Sequence, residues 1–199
     1  MIRFISLFIV FHLGVVAQQI INPEWRNYLN SETVYAITEE NDYLWIGTLG
    51  GIIRLNKFTF EKEFFNKGNS KLTSNKIHDI KVDPNGYKWV ATSKGLIKFK
   101  ENDWIVLDTT NSGIPTNDIS VIDFDSFGNL WLGTFGGGFC SYDGNTWQIF
   151  NTGNSPLPSD YIYDFSFENG NTIWIGTNEG LVKKEGDNWT IYNTSNSGL

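Results

Sequence analysis

Cysteine is almost missing from this sequence. Cys140 is the single one in 199 residues, so no disulfide can form within the chain. Histidine is nearly as scarce, with two copies, and His12 falls inside an N-terminal apolar run. A histidine-based metal site or a Ser–His–Asp triad therefore has nothing to build on, and a catalytic thiol at Cys140 lacks a nearby imidazole. Basic clusters are absent too: 15 Lys and Arg stand against 22 Asp and Glu, for a net charge of −7. Binding along a phosphate backbone needs a basic stripe, so nucleic acid is excluded as a partner. No apolar run reaches the roughly 20 residues of a membrane span, and no Gly-rich loop leads into a helix to cradle a phosphate.

What is present begins with an export signal. Arg3 precedes an apolar stretch from Phe4 to Val16, and Val15-Val16-Ala17 places small residues before Gln18. This reads as a signal peptide over residues 1–17, with an uncleaved anchor or a buried strand as the plainer alternative. The mature chain is then expected outside the cytoplasm, periplasmic, cell-surface or secreted. Without a bridge, its stability must come from its core alone.

That core is written as a repeat. Leu44-Trp45-Ile46-Gly47-Thr48, Lys88-Trp89-Val90-Ala91-Thr92, Leu130-Trp131-Leu132-Gly133-Thr134 and Ile173-Trp174-Ile175-Gly176-Thr177 set tryptophans 44, 42 and 43 residues apart. A glycine follows each by six residues, at Gly51, Gly95, Gly137 and Gly180, and Glu39, Asp83, Asp125 and Glu168 precede each by six. Alternating runs such as Ile77-His78-Asp79-Ile80-Lys81-Val82 come before each tryptophan strand, and the turns between carry Asp, Asn and Gly, as hairpins require. A third strand follows each recurring glycine. The fourth is marked by Trp104, Trp147 and Trp189, with Phe58, Phe60, Phe64 and Phe65 in its place in the first unit. An Asn-Ser connection closes every unit, at Asn69-Ser70, Asn111-Ser112, Asn154-Ser155 and Asn196-Ser197.

Four antiparallel strands in about 43 residues predict the blade of a β-propeller. The expected fold is all-β, with four consecutive blades at about residues 33–66, 76–109, 118–152 and 161–195. Residues 18–32, through Trp25-Arg26-Asn27-Tyr28, resemble a fourth strand and predict an orphan outer strand of a ring-closing blade. The whole reads as an arc of a larger ring of six to eight blades, cut off at the start of a further repeat. The small residue two places after each tryptophan lets neighbouring sheets approach near the axis. The indole fills the space between blades, and burying it contributes roughly 2–3 kcal/mol.

Asp125-Ser126-Phe127-Gly128-Asn129-Leu130-Trp131-Leu132-Gly133-Thr134, with Trp174-Ile175-Gly176-Thr177-Asn178-Glu179-Gly180-Leu181, resembles the two-component regulator propeller repeat. The resemblance extends over about residues 33–199. It implies the extracytoplasmic sensor region of a hybrid histidine kinase, responding to carbohydrate or another small extracellular ligand. Related secreted or surface propellers serve adhesion without a kinase, and a propeller lyase or glycosidase is a third reading. No kinase, receiver or DNA-binding motif occurs in this segment, so no catalysis, cofactor or metal is expected of it. Any membrane attachment would come through a downstream span, and a homodimer is an expectation for such a receptor that no residue here argues.

The four carboxylates, one per unit, read as turn caps rather than calcium ligands. Candidate ligand contacts are the variable hairpin tips: Leu49, Ser93 and Lys94, Phe135, and Asn178 and Glu179. Phe135 beside Lys94 is the most ligand-like pairing, since sugars stack on aromatic faces. The plainer reading is that exposed tips vary because nothing constrains them.

Overall fold

A computed structural model describes residues 33–168 and 170–199. The signal peptide and the orphan strand expected before residue 33 lie outside the described residues. Sixteen strands and no helix are found in the described part. They form four antiparallel four-stranded sheets, each in chain order. The first sheet holds β1 (Val34–Glu40), β2 (Tyr43–Thr48), β3 (Gly51–Asn56) and β4 (Lys62–Phe65). The second holds β5 (Ile77–Val82), β6 (Lys88–Thr92), β7 (Gly95–Lys100) and β8 (Asp103–Leu107). The third holds β9 (Ile119–Phe124), β10 (Leu130–Thr134), β11 (Phe139–Tyr142) and β12 (Trp147–Phe150). The fourth holds β13 (Ile162–Glu168), β14 (Thr172–Thr177), β15 (Gly180–Glu185) and β16 (Asn188–Tyr192). These are the four blades.

Successive blades meet through their first strands, β1 on β5, β5 on β9 and β9 on β13, so these strands line the axis of the arc. The small residue of the tryptophan strand sits at this contact. A Cβ on Gly47 would lie 2.7 Å from Ile77 Cγ2 of the next blade, and one on Gly133 2.6 Å from Val121 and 2.7 Å from Ile162. At Gly176 the nearest atom is 3.7 Å away and belongs to its own blade. The far side of blade four is thus open. The near side of blade one is open as well: Ile37 is 63% exposed, whereas Ile80, Ile122 and Phe165 at the same register are buried.

The indoles pack across the blade interfaces, Trp45 on Phe99, Trp89 on Phe124 and Trp131 on Phe165 and Phe167. Each indole N–H needs an acceptor once buried. It finds one in the carboxylate at the end of its own first strand: Glu40 at 2.8 Å, Asp83 at 3.0 Å, Asp125 at 3.0 Å and Glu168 at 3.2 Å. In blades two and three the same carboxylate also closes the hairpin. Asp125 Oδ1 accepts from the N–H groups of Phe127 and Asn129 while Oδ2 takes the Trp131 indole and the Asn129 amide. In blade one the partner is Glu40 and not Glu39. There the turn is shorter, with Glu40 pairing Tyr43 around Asn41 at φ 52, so the carboxylate stands five residues before its tryptophan.

A threonine locks the next hairpin. The hydroxyls of Thr48, Thr92 and Thr177 donate to the carbonyls of Gly51, Gly95 and Gly180, all at positive φ. In blade three, Thr134 donates to Gly138, so Gly137 is not the equivalent glycine as its spacing suggested. That hairpin holds one extra residue. A Cβ on Gly138 would run into the carbonyl of Phe150, as one on Gly51 would into that of Phe65. Phe58 and Phe60 also depart from expectation: they lie in the turn before β4, exposed.

The Asn-Ser connection has a physical role. Asn69, Asn111, Asn154 and Asn196 donate from Nδ2 to the carbonyls of Phe64, Val106, Ile149 and Ile191 on the outermost strands. Their Oδ1 atoms accept from the N–H groups of Asn66, Asp108, Asn151 and Asn193. One side chain thus occupies a free edge carbonyl and fixes the turn, which blunts the edge against pairing with another sheet.

Two outcomes follow for stability. Gly133→Ala overpacks a filled interface and should cost about 1–3 kcal/mol in urea unfolding, while Gly176→Ala should stay within about 0.5 kcal/mol; equal losses would show that blade four is covered. For Asp125, desolvation raises the pKa, but the hydrogen bonds from Trp131, Asn129 and Phe127 outweigh it and hold the carboxyl below the ordinary carboxylate range. Its contribution is therefore complete above about pH 4 and lost as pH falls through the depressed folded value. The stability gap between wild type and Asp125→Asn should shrink on acidification through that window.

Candidate functional site

All four first strands break register at the same place. The pairing skips Tyr35 between Val34 and Ala36, His78 between Ile77 and Asp79, Ser120 between Ile119 and Val121, and Tyr163 between Ile162 and Asp164. A bulge of this kind re-aims the unpaired side chain and favours rims and binding sites. The four bulges stand at the end of the first strands that faces the second hairpin of each blade, because Val34, Ile77, Ile119 and Ile162 pair with Thr48, Thr92, Thr134 and Thr177. One end of the axis is therefore surrounded by bulge residues and hairpin tips.

The tips are tied to the strand entries. Gly95 N–H donates to Asn117 and Gly136 N–H to Asp160, both in the following blade's approach, while Phe135 and Asn178 N–H groups reach Asp118 and Tyr161. Of the candidate contacts, Leu49, Lys94, Asn178 and Glu179 are exposed. Ser93 is half-buried, with its hydroxyl 3.0 Å from that of Ser74. Lys94 and Glu179 donate backbone N–H groups to the locking threonines Thr92 and Thr177. Asn178 and Glu179 also line an open groove with Asn193, Ser195 and Leu199.

Phe135 is the tip residue drawn toward the axis. Its ring partners are His78 at 5.7 Å, Tyr163 at 5.9 Å and Tyr161 at 6.5 Å, rather than Lys94. His78 lies beneath it, its side chain 7% exposed, with Nδ1 2.6 Å from the carbonyl of Ile119 and 3.7 Å from Asp118 Oδ1. In the sequence His78 stands as a lone imidazole with nothing to build a metal site or triad on, and nothing singles out Ser120, Tyr161 or Tyr163, because alternation does not reveal a bulge. Beside His78, Asp79 crosses the interface: Oδ2 accepts the Ile122 N–H at 2.9 Å and Oδ1 that of Ile80. Burial holds this carboxyl above the ordinary range against the pull of those hydrogen bonds and of Lys81.

Elsewhere the chemistry is that of a scaffold. Cys140 is fully buried, and desolvation pushes its thiol up to about 12. Among the described residues, no group of three or more His, Cys, Asp or Glu side chains is placed to hold a metal ion. A thiol reagent at pH 8 should accordingly leave the native protein unlabelled and titrate one thiol after denaturation; fast native labelling would contradict that placement.

Residues 113–136 match the family model described as the two component regulator propeller. Two extracellular domains from B. thetaiotaomicron share the fold. One, named as that of a hybrid two-component system, is 25% identical with a TM-score of 0.72, covering 82% of this chain and 23% of its own. Another, named as that of a one-component system, is 21% identical with a TM-score of 0.68, covering 81% and 25%. Virginiamycin B lyase from Staphylococcus aureus aligns at 14% identity and a TM-score of 0.62, over 80% of this chain and 55% of the enzyme. The chain thus spans about a quarter of the length of the two extracellular domains. No curated protein sequence matches it as a relative. The described residues form β-propeller blades, residues 113–136 resemble the two component regulator propeller repeat, and the fold is shared with the extracellular domain named for a hybrid two-component system.

Proposed function

We propose that this chain is the exported recognition part of a two-component regulatory system: a non-catalytic propeller that binds a small extracellular ligand, with carbohydrate as the ligand class. The observation that carries the reading is the combination of the matched repeat at residues 113–136 with a 25%-identical extracellular domain named for a hybrid two-component system. The architecture supports it. Hydrogen-bond devices recur blade after blade and fix the scaffold, while the tips and bulge residues differ from blade to blade, which is where a recognition surface belongs. The blades read as an arc of a larger ring, since the open sides of blades one and four have the packing surface of a blade interface. A histidine kinase would lie outside this segment.

A surface role without a kinase is the second reading. It is favoured by the likeness to PorZ of Porphyromonas gingivalis, named as a bacterial surface component of the type-IX secretion system, at 18% identity and a TM-score of 0.60.

The test is thermal unfolding of the protein against a panel of neutral and acidic oligosaccharides. A true ligand at a hundredfold its Kd adds about 2.7 kcal/mol and raises the midpoint in step with concentration. A panel that leaves the midpoint unmoved throughout counts against carbohydrate recognition and favours the surface-protein reading.

A further inference from the structure

We propose that the axial mouth shared by blades two, three and four is a binding site for a compact, donor-rich ligand with an apolar ring face, a neutral pyranose in the simplest case, read centrally by His78. This rests on the reading of the chain as a ligand-recognising propeller and says where the ligand sits.

The floor of the mouth is polar and unsatisfied. His78 Nε2, Asp118 Oδ1 and Ser120 Oγ are each buried without a hydrogen-bond partner among the described residues. Native interiors pair nearly all such atoms with protein, water or ligand, so these three mark a place for a hydrogen-bonding guest. Their chemistry specifies it. The Ile119 carbonyl can only accept, so His78 Nδ1 carries the proton facing it, and in the neutral ring Nε2 is left as a bare acceptor. The Asp118 carboxylate accepts only, and Ser120 can do either. Two acceptors and a hydroxyl call for a ligand with adjacent donors, such as the vicinal hydroxyls of a sugar. The same set repels an anion.

The rim is aromatic. Phe135 stands edge-on to His78, with Tyr161 and Tyr163 next to it, both about half exposed. Such rings accept the C–H face of a pyranose. Phe135 covers His78 from the tip of the longest second hairpin, and Gly136 and Gly138 behind it take positive φ of 96 and 78. Among the described blades only the blade-two bulge carries a histidine, and the extra hairpin residue is confined to blade three.

The experiment is a titration of the whole chain, labelled with ¹⁵N-histidine, by methyl glucoside, methyl galactoside, maltose and cellobiose, with butylammonium as the charged comparison. The expected result is a saturable shift of the His78 Nε2 resonance with at least one sugar at up to about 50 mM. Tyr163→Ala, at an exposed position, and Ser120→Ala should each weaken that binding about five- to tenfold with the unfolding midpoint of the free protein retained. A sugar that raises the unfolding midpoint yet leaves His78 unmoved overturns this site while the recognition reading stands. Butylammonium shifting His78 where no sugar does overturns the ligand class. No binding by any of the five overturns the site, while the recognition reading is decided by the wider oligosaccharide panel.

Discussion

In blades one to three the second strand lies on the first strand of the blade after it, and the contact leaves room for no more than a methyl group. Gly47 and Gly133 are pressed against Ile77 and Ile162, and Ala91 fills the equivalent place between blades two and three. This closeness dictates the residues around it. A sheet held so near its neighbour leaves a slot beside the glycine that a flat, large ring fills, and the indole does so. A buried indole has one N–H to satisfy. The carboxylate that satisfies it must come from the end of the first strand, where it is also in reach of the turn's N–H groups. Glycine, tryptophan, acidic residue and hairpin therefore travel together, because they are parts of one contact.

That linkage explains why the blades were readable from the sequence. The period of 42 to 44 residues between Trp45, Trp89, Trp131 and Trp174 is the spacing of one contact from the next. It also explains the misses. Gly137 was chosen by counting from Trp131, but the third hairpin has an extra residue and the strained position falls on Gly138. Counting back six residues from Trp45 lands on Glu39 as the recurring carboxylate, but the first turn is a residue short and the indole meets Glu40. Counting assumes constant loop lengths, whereas hydrogen bonding selects whichever residue reaches. The bulges were hidden for a different reason. A bulge changes the register between two strands, and Ile77-His78-Asp79-Ile80 alternates no differently with or without it. The Asn-Ser connection was visible as a recurrence, yet its role depended on knowing that the outermost strand has free carbonyls within reach of Asn111 and its equivalents.

Function separates from scaffold along the same line. The threonine lock and the asparagine clip occur in all four blades with the same atoms, so they carry geometry and no message. A message needs asymmetry. The axial mouth is where the blades differ, with a histidine, a serine and a tyrosine at equivalent bulges and a phenylalanine on a lengthened tip.

The core is divided among the blade interfaces. The first two blades close over one cluster built on Trp45, Ile77, Ile80 and Val90, the second and third over Trp89, Ile119, Ile122 and Leu132, the third and fourth over Phe139, Ile162, Phe165 and Ile175. Each interface is a separate core, and stability in such an array is close to a sum over neighbours. His78, Ser120 and Asp118 sit at the rim of these interfaces, beside the buried isoleucines and outside the indole slots. Polar groups there leave untouched the contact that sets the spacing of the blades. The residues at this mouth can therefore differ from blade to blade while the sheets that present them stay in place.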